Sequence, residues 1–484
     1  MMLSLITLLA CGPKKPETII EPPPASRTKT ERPQPLVKKP FSVPELEKST
    51  LSNGLSFFVQ QNMEVPLVRV WITFDAGGWT DPDNQIGLSQ ITMDMLDEGS
   101  TDLTGASLSA QLRNLGSTLS VQSTPDGATI QIQTLKKNLP QTLDLLHTVM
   151  MYPTFSEDTW NRKRVQYHQV LAQQHNDAKS ISRNVWNKLV YGNQYTGRMQ
   201  TEDHLSSISV QDMKEWHDKF ITPKTTNIWV GGATTTQEVL PLLEARFGTW
   251  KKESTTLPNP PDVISLKDPE RSFVFLVDKP GATQSVIRIG HGIGKESAPE
   301  STALKIANQT IGGMFTARIN QLLREEKGWT YGAWSWLSHN YMPGTFNMSS
   351  SIVTKHTADS IREVVRILRS SKSEQPITQA ELDRAKGDLI GTFPLRFEKP
   401  AFSINSQLRI LRYDLPKDWI TGYEQRIASI DLQTTQNAWN DHIDPETLHI
   451  LIVGDKNSIQ PSLLELGYPI IEIDTYGNKI TPTE

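Results

Sequence analysis

Residues Gly312–Trp336, GGMFTARINQLLREEKGWTYGAWSW, predict a short helix that runs directly into a β-strand. After the Gly-Gly pair, four apolar residues recur at helical spacing and mark a buried face: Phe315, Ile319, Leu322 and Leu323. Gly328 is expected to end the helix, and Trp329–Trp336 has the composition of a strand. This corner brings a guanidinium, Arg324, close to a phenol, Tyr331, at the end of a rigid element.

The pair formed by Arg324 and Tyr331 is the first candidate binding site. Arginine offers a planar fork of donors and tyrosine adds one more, so together they can grip a peptide carbonyl or a carboxylate. The chemistry alone favours the alternative, an ordinary surface arginine beside a half-buried tyrosine.

Length and composition limit the classes of protein to consider. The chain has 484 residues, which is too long for one core and suggests two domains of about 200 residues each. A net charge of −4 and a pI near 6.2 give no reason to expect nucleic acid as a partner. The single cysteine, Cys11, excludes intramolecular disulfides and cysteine metal clusters.

The N-terminus has the pattern of a lipoprotein signal. The apolar run Leu3–Ala10 is too short to span a bilayer and fits the hydrophobic region of a secretory signal. Its ending, LLAC, resembles the bacterial lipobox, in which Cys11 would become the lipidated first residue of the mature chain. Residues 12–45 are rich in proline and charge and predict a tether. We therefore expect a lipid anchor in the bacterial cell envelope facing the periplasm, with Gly12 favouring the outer membrane; a wrongly assigned start before a soluble protein is the alternative.

The two halves of the chain repeat one pattern. A displacement of 222 positions, which brings Val210 onto Leu432, matches three separate segments. These segments are Val210–Gly232 on Leu432–Gly454, Lys137–Met150 on Asp359–Lys372, and Thr154–Val170 on Pro376–Thr392. The chain is therefore interpreted as a tandem duplication of an α+β unit, with domains at 46–250 and 270–456, a linker at 251–269 and a C-terminal end at 457–484.

The order of elements within the first half indicates the kind of sheet. Strands are predicted at Leu67–Phe74, Ser117–Ser123, Ala128–Leu135 and Asn227–Gly231. Helices are predicted at Gly87–Leu96, Gly105–Asn114, Leu139–Met150, Glu157–Gln174, Ile181–Val190, Val210–Phe220 and Gln237–Phe247. The adjacent pair of strands favours a mainly antiparallel sheet with helices on one face.

Five motifs give the chain its resemblance to a known family. They are Gly87-Leu88, the LDEGS of Leu96–Ser100, Tyr191-Gly192, the IRIGHG of Ile287–Gly292 and the LLREEKGWTYGAWS of Leu322–Ser335. With them the chain, over about residues 46–456, resembles the insulinase/pitrilysin-type zinc peptidases, in the shorter bacterial branch related to the mitochondrial processing peptidase. The resemblance implies two homologous α+β domains, each a mainly antiparallel sheet covered by helices, facing each other around a cavity.

The zinc motif of that family is altered at every position. Active members carry H-x-x-E-H on the helix after the Gly-Leu, with a further glutamate about 75 residues on. By this resemblance the first His becomes Gln90, the general base Met93, the second His Asp94 and the distal ligand Gln169. An amide is a poor zinc ligand and a thioether accepts no proton, so we expect no metal and no catalytic residue in this chain.

The resemblance also implies a role for the corner described first. Active members use an arginine and a tyrosine of the C-terminal domain, spaced R-x-x-x-G-x-x-Y, to bind the substrate backbone, and Arg324, Gly328 and Tyr331 have that spacing. In some bacterial members, one subunit holds the zinc and the other holds this pair. The chain is thus expected to be the substrate-binding subunit of a heterodimeric zinc metallopeptidase, with a homologous partner that carries an intact H-x-x-E-H and Zn²⁺, and with peptides as substrate. The alternative is a structural or binding pseudo-peptidase with no role in proteolysis.

Overall fold

A computed structural model describes residues 41–251, 270–295, 298–338, 344–398, 400–413 and 415–480. We call the described residues before the gap at 252–269 the first half and those after it the second half. The predicted linker and the tether up to residue 40 lie outside the described residues, so these boundaries stay predictions. Among the described helices, none is both long enough and apolar enough to cross a membrane.

Within the described residues, the strands form two six-stranded sheets and a two-stranded ribbon. The first half contains β1 (Glu47–Thr50), β2 (Ser56–Gln61), β3 (Leu67–Phe74), β4 (Gly99–Ser100), β5 (Leu103–Thr104), β6 (Thr118–Thr124), β7 (Gly127–Leu135) and β8 (Thr226–Gly232). The second half contains β9 (Phe273–Asp278), β10 (Gln284–Gly292), β11 (Thr330–Ser338), β12 (Thr345–Val353), β13 (His449–Gly454) and β14 (Ile470–Ile473).

Five of the six strands have the same order in the two sheets when the second sheet is listed from its opposite edge. The first is β1-β2-β8-β3-β7-β6 and the second is β11-β12-β10-β13-β9-β14. Five strands correspond in reverse order, and β2 beside β8 matches β9 beside β13 as a parallel pair. The remaining strand differs, because β1 joins antiparallel from the N-terminal side and β14 joins parallel from the C-terminal side. The prediction of a duplicated α+β unit with mainly antiparallel sheets is confirmed.

Helices cover the sheets. Those of the first half are α1 (Leu88–Asp94), α2 (Gly105–Asn114), α3 (Leu139–Met151), α4 (Glu157–Gln174), α5 (Ala178–Tyr191), α6 (Glu202–Ser207), α7 (Val210–Phe220) and α8 (Thr236–Phe247). Those of the second half are α9 (Ser301–Asn308), α10 (Arg318–Asn320), α11 (Thr357–Ser370), α12 (Gln379–Thr392), α13 (Pro400–Arg412), α14 (Tyr423–Ser429), α15 (Leu432–His442) and α16 (Lys456–Leu464). Several bounds, including those of α2, α4 and α7, are the predicted ones, because helical periodicity is unambiguous there.

Two equivalent helices are exchanged between the halves. Helix α5 packs through Ile181, Val185 and Trp186 onto β10 and β13 of the second sheet. Helix α13, which begins 222 positions later, packs Ile404 against Trp71 and Trp229 of the first sheet. Helices on one face alone were therefore too simple a prediction: each sheet carries its own helices on one face and a helix of the other half opposite. The exchange joins the two halves through buried apolar surface.

Residues 457–480 pack with the second half. Ile459 and Leu463 of α16 are buried in its core, and β14 pairs with β9. The Lys188 side chain of α5 donates to the Tyr476 carbonyl at 2.9 Å and to Asn478 Oδ1 at 2.8 Å. This C-terminal segment therefore adds a further link between the halves.

The corner at Gly312–Trp336 differs in one respect from the structure predicted for it. A π-helical turn, Gln309–Gly313, ends the preceding helix, and the next helical segment begins at Arg318. Phe315 falls between them and is 48% exposed, so its predicted place on the buried helix face is wrong. Ile319 and Leu323 are buried as predicted. Gly328, at φ +65°, ends the helical segment as predicted, because a left-handed residue there favours glycine.

The exchange makes a prediction about stability. Trp186 is 2% exposed in the contact between α5 and the second sheet, and its indole Nε1 has no hydrogen-bond partner in the described part of the chain. We expect Trp186→Ala to lower the free energy of unfolding by about 3–5 kcal/mol through lost packing. Trp186→Phe should cost much less, since no indole hydrogen bond is lost. Denaturant unfolding of both variants measures this.

The matched control is Trp334→Ala, since Trp334 is 40% exposed on β11. Equal destabilisation by the Trp186 and Trp334 alanine variants would contradict the importance of the exchange.

Candidate functional site

The positions that correspond to the zinc motif, Gln90, Met93 and Asp94, lie on α1, and two of their side chains are hydrogen-bonded to each other. The Gln90 amide donates to both carboxylate oxygens of Asp94, at 3.0 and 2.9 Å. These residues are one helical turn apart, so the i, i+4 spacing that would hold a metal here holds an amide against a carboxylate. Met93, at the position of the general base, is fully buried in the core of the first half.

A phenol from α4 completes this cluster. The Tyr167 hydroxyl donates to Asp94 Oδ2 at 2.6 Å. Burial and the adjacent Asp94 carboxylate raise the pKa of Tyr167, so the hydroxyl keeps its proton and remains a donor. Asp94, the one residue of the motif that could have contributed to a metal site, is therefore satisfied by Gln90 and Tyr167.

These residues do not fit a zinc ion. Zinc in proteins is held by three or four nitrogen, sulfur or carboxylate ligands. Here the positions supply an amide, a buried thioether and a carboxylate engaged twice. Across the residues that the structure describes, no group of three or more His, Cys, Asp or Glu side chains could hold a metal ion.

Tyr167 is not among the residues predicted for this site. The sequence predicts the distal ligand position at Gln169, whose side chain is exposed, whereas Tyr167 two residues earlier faces the motif. Two helical residues at this spacing point about 200° apart, so an error of two positions reverses the face. The salt bridges of Glu98 to Arg162 at 2.9 Å and to Lys163 at 2.6 Å fix α4 against the LDEGS segment. The only sequence feature that could have pointed to this contact is the aromatic side chain at position 167.

A buried carboxylate holds the start of α1. Asp81 accepts hydrogen bonds from the backbone N–H groups of Gly87 and Ser89, both at 2.8 Å. Gly87 has φ +99°, which only glycine adopts readily. Arg198 donates to the carbonyls of Gly78 and Asp81 at 2.6 and 3.0 Å and ties the same loop. Burial raises the pKa of Asp81 to about 6 despite these donors.

The second candidate region is a shallow recess at the corner of the second half. Arg324 and Tyr331 both line it, together with Gln284, Glu325, Gly328, Trp329, Thr330 and Val353. Its volume is about 390 Å³, and every one of these residues belongs to the second half. Tyr331 is 93% exposed at the start of the edge strand β11. The structure thus brings the two predicted binding residues together.

The Arg324 side chain is held from one side by an aromatic ring. Its guanidinium carbon lies 4.6 Å from the centre of the Phe315 ring, and its Nε is 3.2 Å from the Glu325 carboxylate. A cation–π contact of this kind fixes the plane of a guanidinium while leaving its edge available to donate. Phe315, which the helical pattern had assigned to the core, is therefore a support for Arg324.

The predicted lipidation residue, Cys11, lies outside the described residues.

Comparison with known proteins identifies a family pattern in both halves. Residues 57–200 match the family model described as "Insulinase (Peptidase family M16)". Residues 207–389 match the model described as "Peptidase M16 inactive domain". The resemblance given by the motifs is therefore confirmed.

Individual proteins agree with this pattern. The chain is 21% identical over 415 residues to the "Non-peptidase homolog YmxG" of Helicobacter pylori, covering 82% of this chain and 91% of that protein. It is 22% identical to the "Zinc protease PqqE" of the same organism, covering 71% and 78% of the two chains. A solved structure of a peptidase M16 inactive domain from Pseudomonas fluorescens has a TM-score of 0.76 at 19% identity, covering 85% of this chain and 98% of that one.

The position of Tyr167 makes a prediction about zinc. Gln90→His with Asp94→His places two imidazoles at i, i+4, and Tyr167→Glu then adds a carboxylate where the phenol now contacts Asp94. We expect this triple variant to bind Zn²⁺ on the order of a hundredfold more tightly than the variant with Gln169→Glu in place of Tyr167→Glu, because position 169 faces solvent. Equilibrium dialysis with zinc measures the difference, and equal affinities would contradict the assignment of the face.

The raised pKa of Asp81 makes a prediction about pH. The folded state holds this proton more tightly than the unfolded state, so the stabilising contribution is complete below about pH 3.8 and is lost as the pH rises through about 6. The change corresponds to about 3 kcal/mol. The Asp81→Asn variant has no carboxyl group to titrate at this position. Its free energy of unfolding, relative to that of the unmodified protein, should therefore rise by about 3 kcal/mol between pH 4 and pH 7. The measurement is the free energy of unfolding of both proteins between pH 4 and pH 7. If the two values changed with pH in parallel, the prediction would be contradicted.

Proposed function

Since this chain belongs to the insulinase (M16) family of peptidases, we propose that it is the substrate-binding subunit of a heterodimeric zinc metallopeptidase, without catalytic residues of its own. Its substrates are peptides or unfolded segments, which a partner subunit cleaves. The similarity to a relative named as a non-peptidase homologue and to a family model described as an inactive domain supports the absence of catalytic residues.

The observation that carries the proposal is the exposed pair in the recess. A tyrosine that is 93% exposed beside a guanidinium pre-positioned by Phe315 offers three or more N–H and O–H donors in a fixed direction. An extended peptide presents carbonyl oxygens that accept from such donors. Donors held in place before the substrate arrives cost little ordering on binding, so they position the scissile bond efficiently.

The zinc in this proposal belongs to the partner. The Gln90, Asp94 and Tyr167 cluster satisfies its own hydrogen bonds and leaves no ligand set for a metal. A homologous chain with an intact H-x-x-E-H would supply the ion and the general base. The presence in one organism of relatives named as a non-peptidase homologue and as a zinc protease supports a pair of this kind.

The chain is further proposed to be anchored by a lipid on Cys11, in the bacterial cell envelope and facing the periplasm, with the outer membrane favoured. Its support is the LLAC ending of the apolar N-terminal run and the proline-rich stretch that follows.

The second candidate function is a structural pseudo-peptidase that takes no part in proteolysis. The closed cluster on α1 favours it, because a carboxylate bonded to both an amide and a phenol stabilises the fold without serving substrate. The two functions differ in what they require of Arg324. A scaffold tolerates its removal, whereas a substrate-binding subunit loses turnover.

The test is peptide cleavage by the full chain combined with a homologous subunit that has an intact zinc motif. Hydrogen bonds to a charged group contribute about 1.5–3 kcal/mol, so Arg324→Ala should lower kcat/KM of the pair about 10- to 150-fold. Tyr331→Phe removes one neutral donor and should lower it about 2- to 10-fold. Co-purification of the subunits should not change in either variant.

The matched control is Arg366→Ala, because Arg366 is an exposed arginine of the same half that pairs with Glu363 on α11. The control should keep full activity. Full activity of the pair with Arg324→Ala would refute substrate binding by this chain and leave the structural function.

A further inference from the structure

The face of the second sheet on which α5 packs carries an arginine that has no acidic partner. Arg288 of β10 shares this face with Val286, two residues earlier, which packs against α5. The Arg288 Nε donates to the Ser182 hydroxyl of α5 at 3.1 Å, and its guanidinium carbon lies 5.6 Å from the centre of the Trp336 ring. Neither a hydroxyl nor an aromatic ring neutralises a positive charge.

The charge of Arg288 is uncompensated. Burial and the positive charge of Arg183 lower the pKa of Arg288 to about 10, and in the described part of the chain no carboxylate offsets them. With this pKa the guanidinium still carries its charge at pH 7. Its two Nη atoms have no hydrogen-bond partner among the described residues and are not completely buried, so a ligand can reach them. A desolvated charge without a partner costs folding free energy, which a bound carboxylate would recover.

Two exposed tryptophans lie beside this arginine. Helix α5 covers β10 and β13 and leaves Trp334 and Trp336 of the edge strand β11 40% and 37% exposed. Trp334 is in register with Ser349 of β12, and Ser349 is in register with Arg288. A row across three strands thus presents an indole, a hydroxyl and a cation, about 10 Å from end to end. We call Arg288, Trp334, Trp336 and Ser349 the tryptophan face.

The tryptophan face adjoins the recess that contains Arg324. A Cβ atom on Gly332 would lie 2.9 Å from Trp334 Nε1, so the indole occupies the space of the side chain that Gly332 lacks. Gly332 directly follows Tyr331, which lines the recess. The recess and the tryptophan face are therefore neighbours along β11, and one extended peptide can contact both.

We propose that the tryptophan face selects peptides with an acidic residue, whose side-chain carboxylate binds Arg288 while apolar residues beside it lie against Trp334 and Trp336. An arginine binds a carboxylate through two parallel N–H bonds, and the Ser349 hydroxyl offers a further donor. Side chains on one side of an extended peptide recur about every 7 Å, which is also the spacing of two tryptophans two residues apart in a strand. The link to substrate rests on the proposed function, whereas binding of the peptide can be measured on this chain alone.

A purely structural role for Arg288 predicts a different effect on stability. If its bond to Ser182 served to hold α5 in place, removal of that bond would destabilise the protein. Arg288→Met with Ser182→Ala replaces both partners by apolar groups, so no buried hydroxyl loses its donor and the uncompensated charge is gone. We expect the thermal unfolding midpoint of this double variant to be unchanged or higher. A lower midpoint would overturn the proposal, since it would show that the fold itself uses the charge.

The test of binding is calorimetric titration of the full-length chain with peptides of about eight residues, blocked at both ends. They differ at one central position, which is Glu, Gln or Lys between apolar residues. We expect the Glu peptide to bind about tenfold or more tightly than the Gln peptide, and the Lys peptide to bind more weakly than either. Arg288→Met should remove this preference, and Arg288→Lys should keep part of it because the charge remains. Arg362→Met, on the exposed side of α11, is the matched control and should keep the preference.

A fourth peptide separates an acidic side chain from a chain terminus as the source of the carboxylate. It has Gln at the central position and a free C-terminal carboxylate, and we expect it to bind like the blocked Gln peptide. Affinity equal to that of the Glu peptide would contradict selection of an acidic side chain. Equal affinities for the blocked Glu and Gln peptides, an unchanged preference in Arg288→Met, a preference lost in Arg362→Met, or no saturable binding of the Glu peptide up to about 1 mM would also overturn the proposal.

Cleavage by the pair of subunits distinguishes this proposal from the proposed function. Arg324→Ala should slow cleavage of the Glu and Gln peptides alike, whereas Arg288→Met should slow cleavage of the Glu peptide alone. Equal slowing of both peptides by Arg288→Met would overturn the selection of acidic residues and leave the proposed function intact. A binding preference that depends on Arg288, in a chain that never stimulates cleavage, would support this proposal and refute the proposed function.

Discussion

The packing of α5 on the second sheet and of α13 on the first is the contact on which the rest of the structure depends. Each sheet has one face covered by helices of its own half, so its other face would expose apolar residues if the halves were separate. The exchanged helix covers part of that face, and because the two helices are equivalent in the duplication, one solution serves both halves. Apolar burial of this kind is non-directional but large, and it joins the halves more firmly than a short linker could. The C-terminal segment adds polar links through Lys188, Tyr476 and Asn478.

The two halves differ in how their polar side chains are used. On α1 the ionisable group is satisfied internally, since Asp94 accepts from Gln90 and Tyr167. At the corner of the second half, Arg324 and the exposed Tyr331 point their donors toward a recess, and Phe315 supports the guanidinium. Donors that are fixed in place before a ligand arrives cost little to order on binding, and the exposed Tyr331 and the oriented Arg324 are donors of this kind. This difference is the basis of our proposal that the second half binds substrate and that a partner supplies the chemistry.

Much of the fold could be predicted from the sequence, because strong periodicity fixes β3, α2, α4 and α7 and the repeat relates the halves. Other features depend on contacts that leave no local signal. The π-helical turn at Gln309–Gly313 moves the start of the next helix and takes Phe315 out of the core. The exchange of α5 and α13 looks, in sequence, like any amphipathic helix. The face of Tyr167 was missed because a gap of about 75 residues sets the position only to within two residues, and two residues reverse a helix face. The pair of Arg324 and Tyr331 was predicted because both lie in one short, contiguous corner.

We propose that this chain contributes to peptide cleavage only through a zinc-bearing partner. The most direct measurement is peptide hydrolysis by the purified chain alone, by the homologous zinc-motif subunit alone and by the two mixed, each with and without a chelator. We predict that the mixture cleaves much faster than either chain, that the chelator abolishes this activity, and that this chain alone is inactive. Chelator-insensitive hydrolysis by this chain alone, or a partner whose rate does not change when this chain is added, would contradict it.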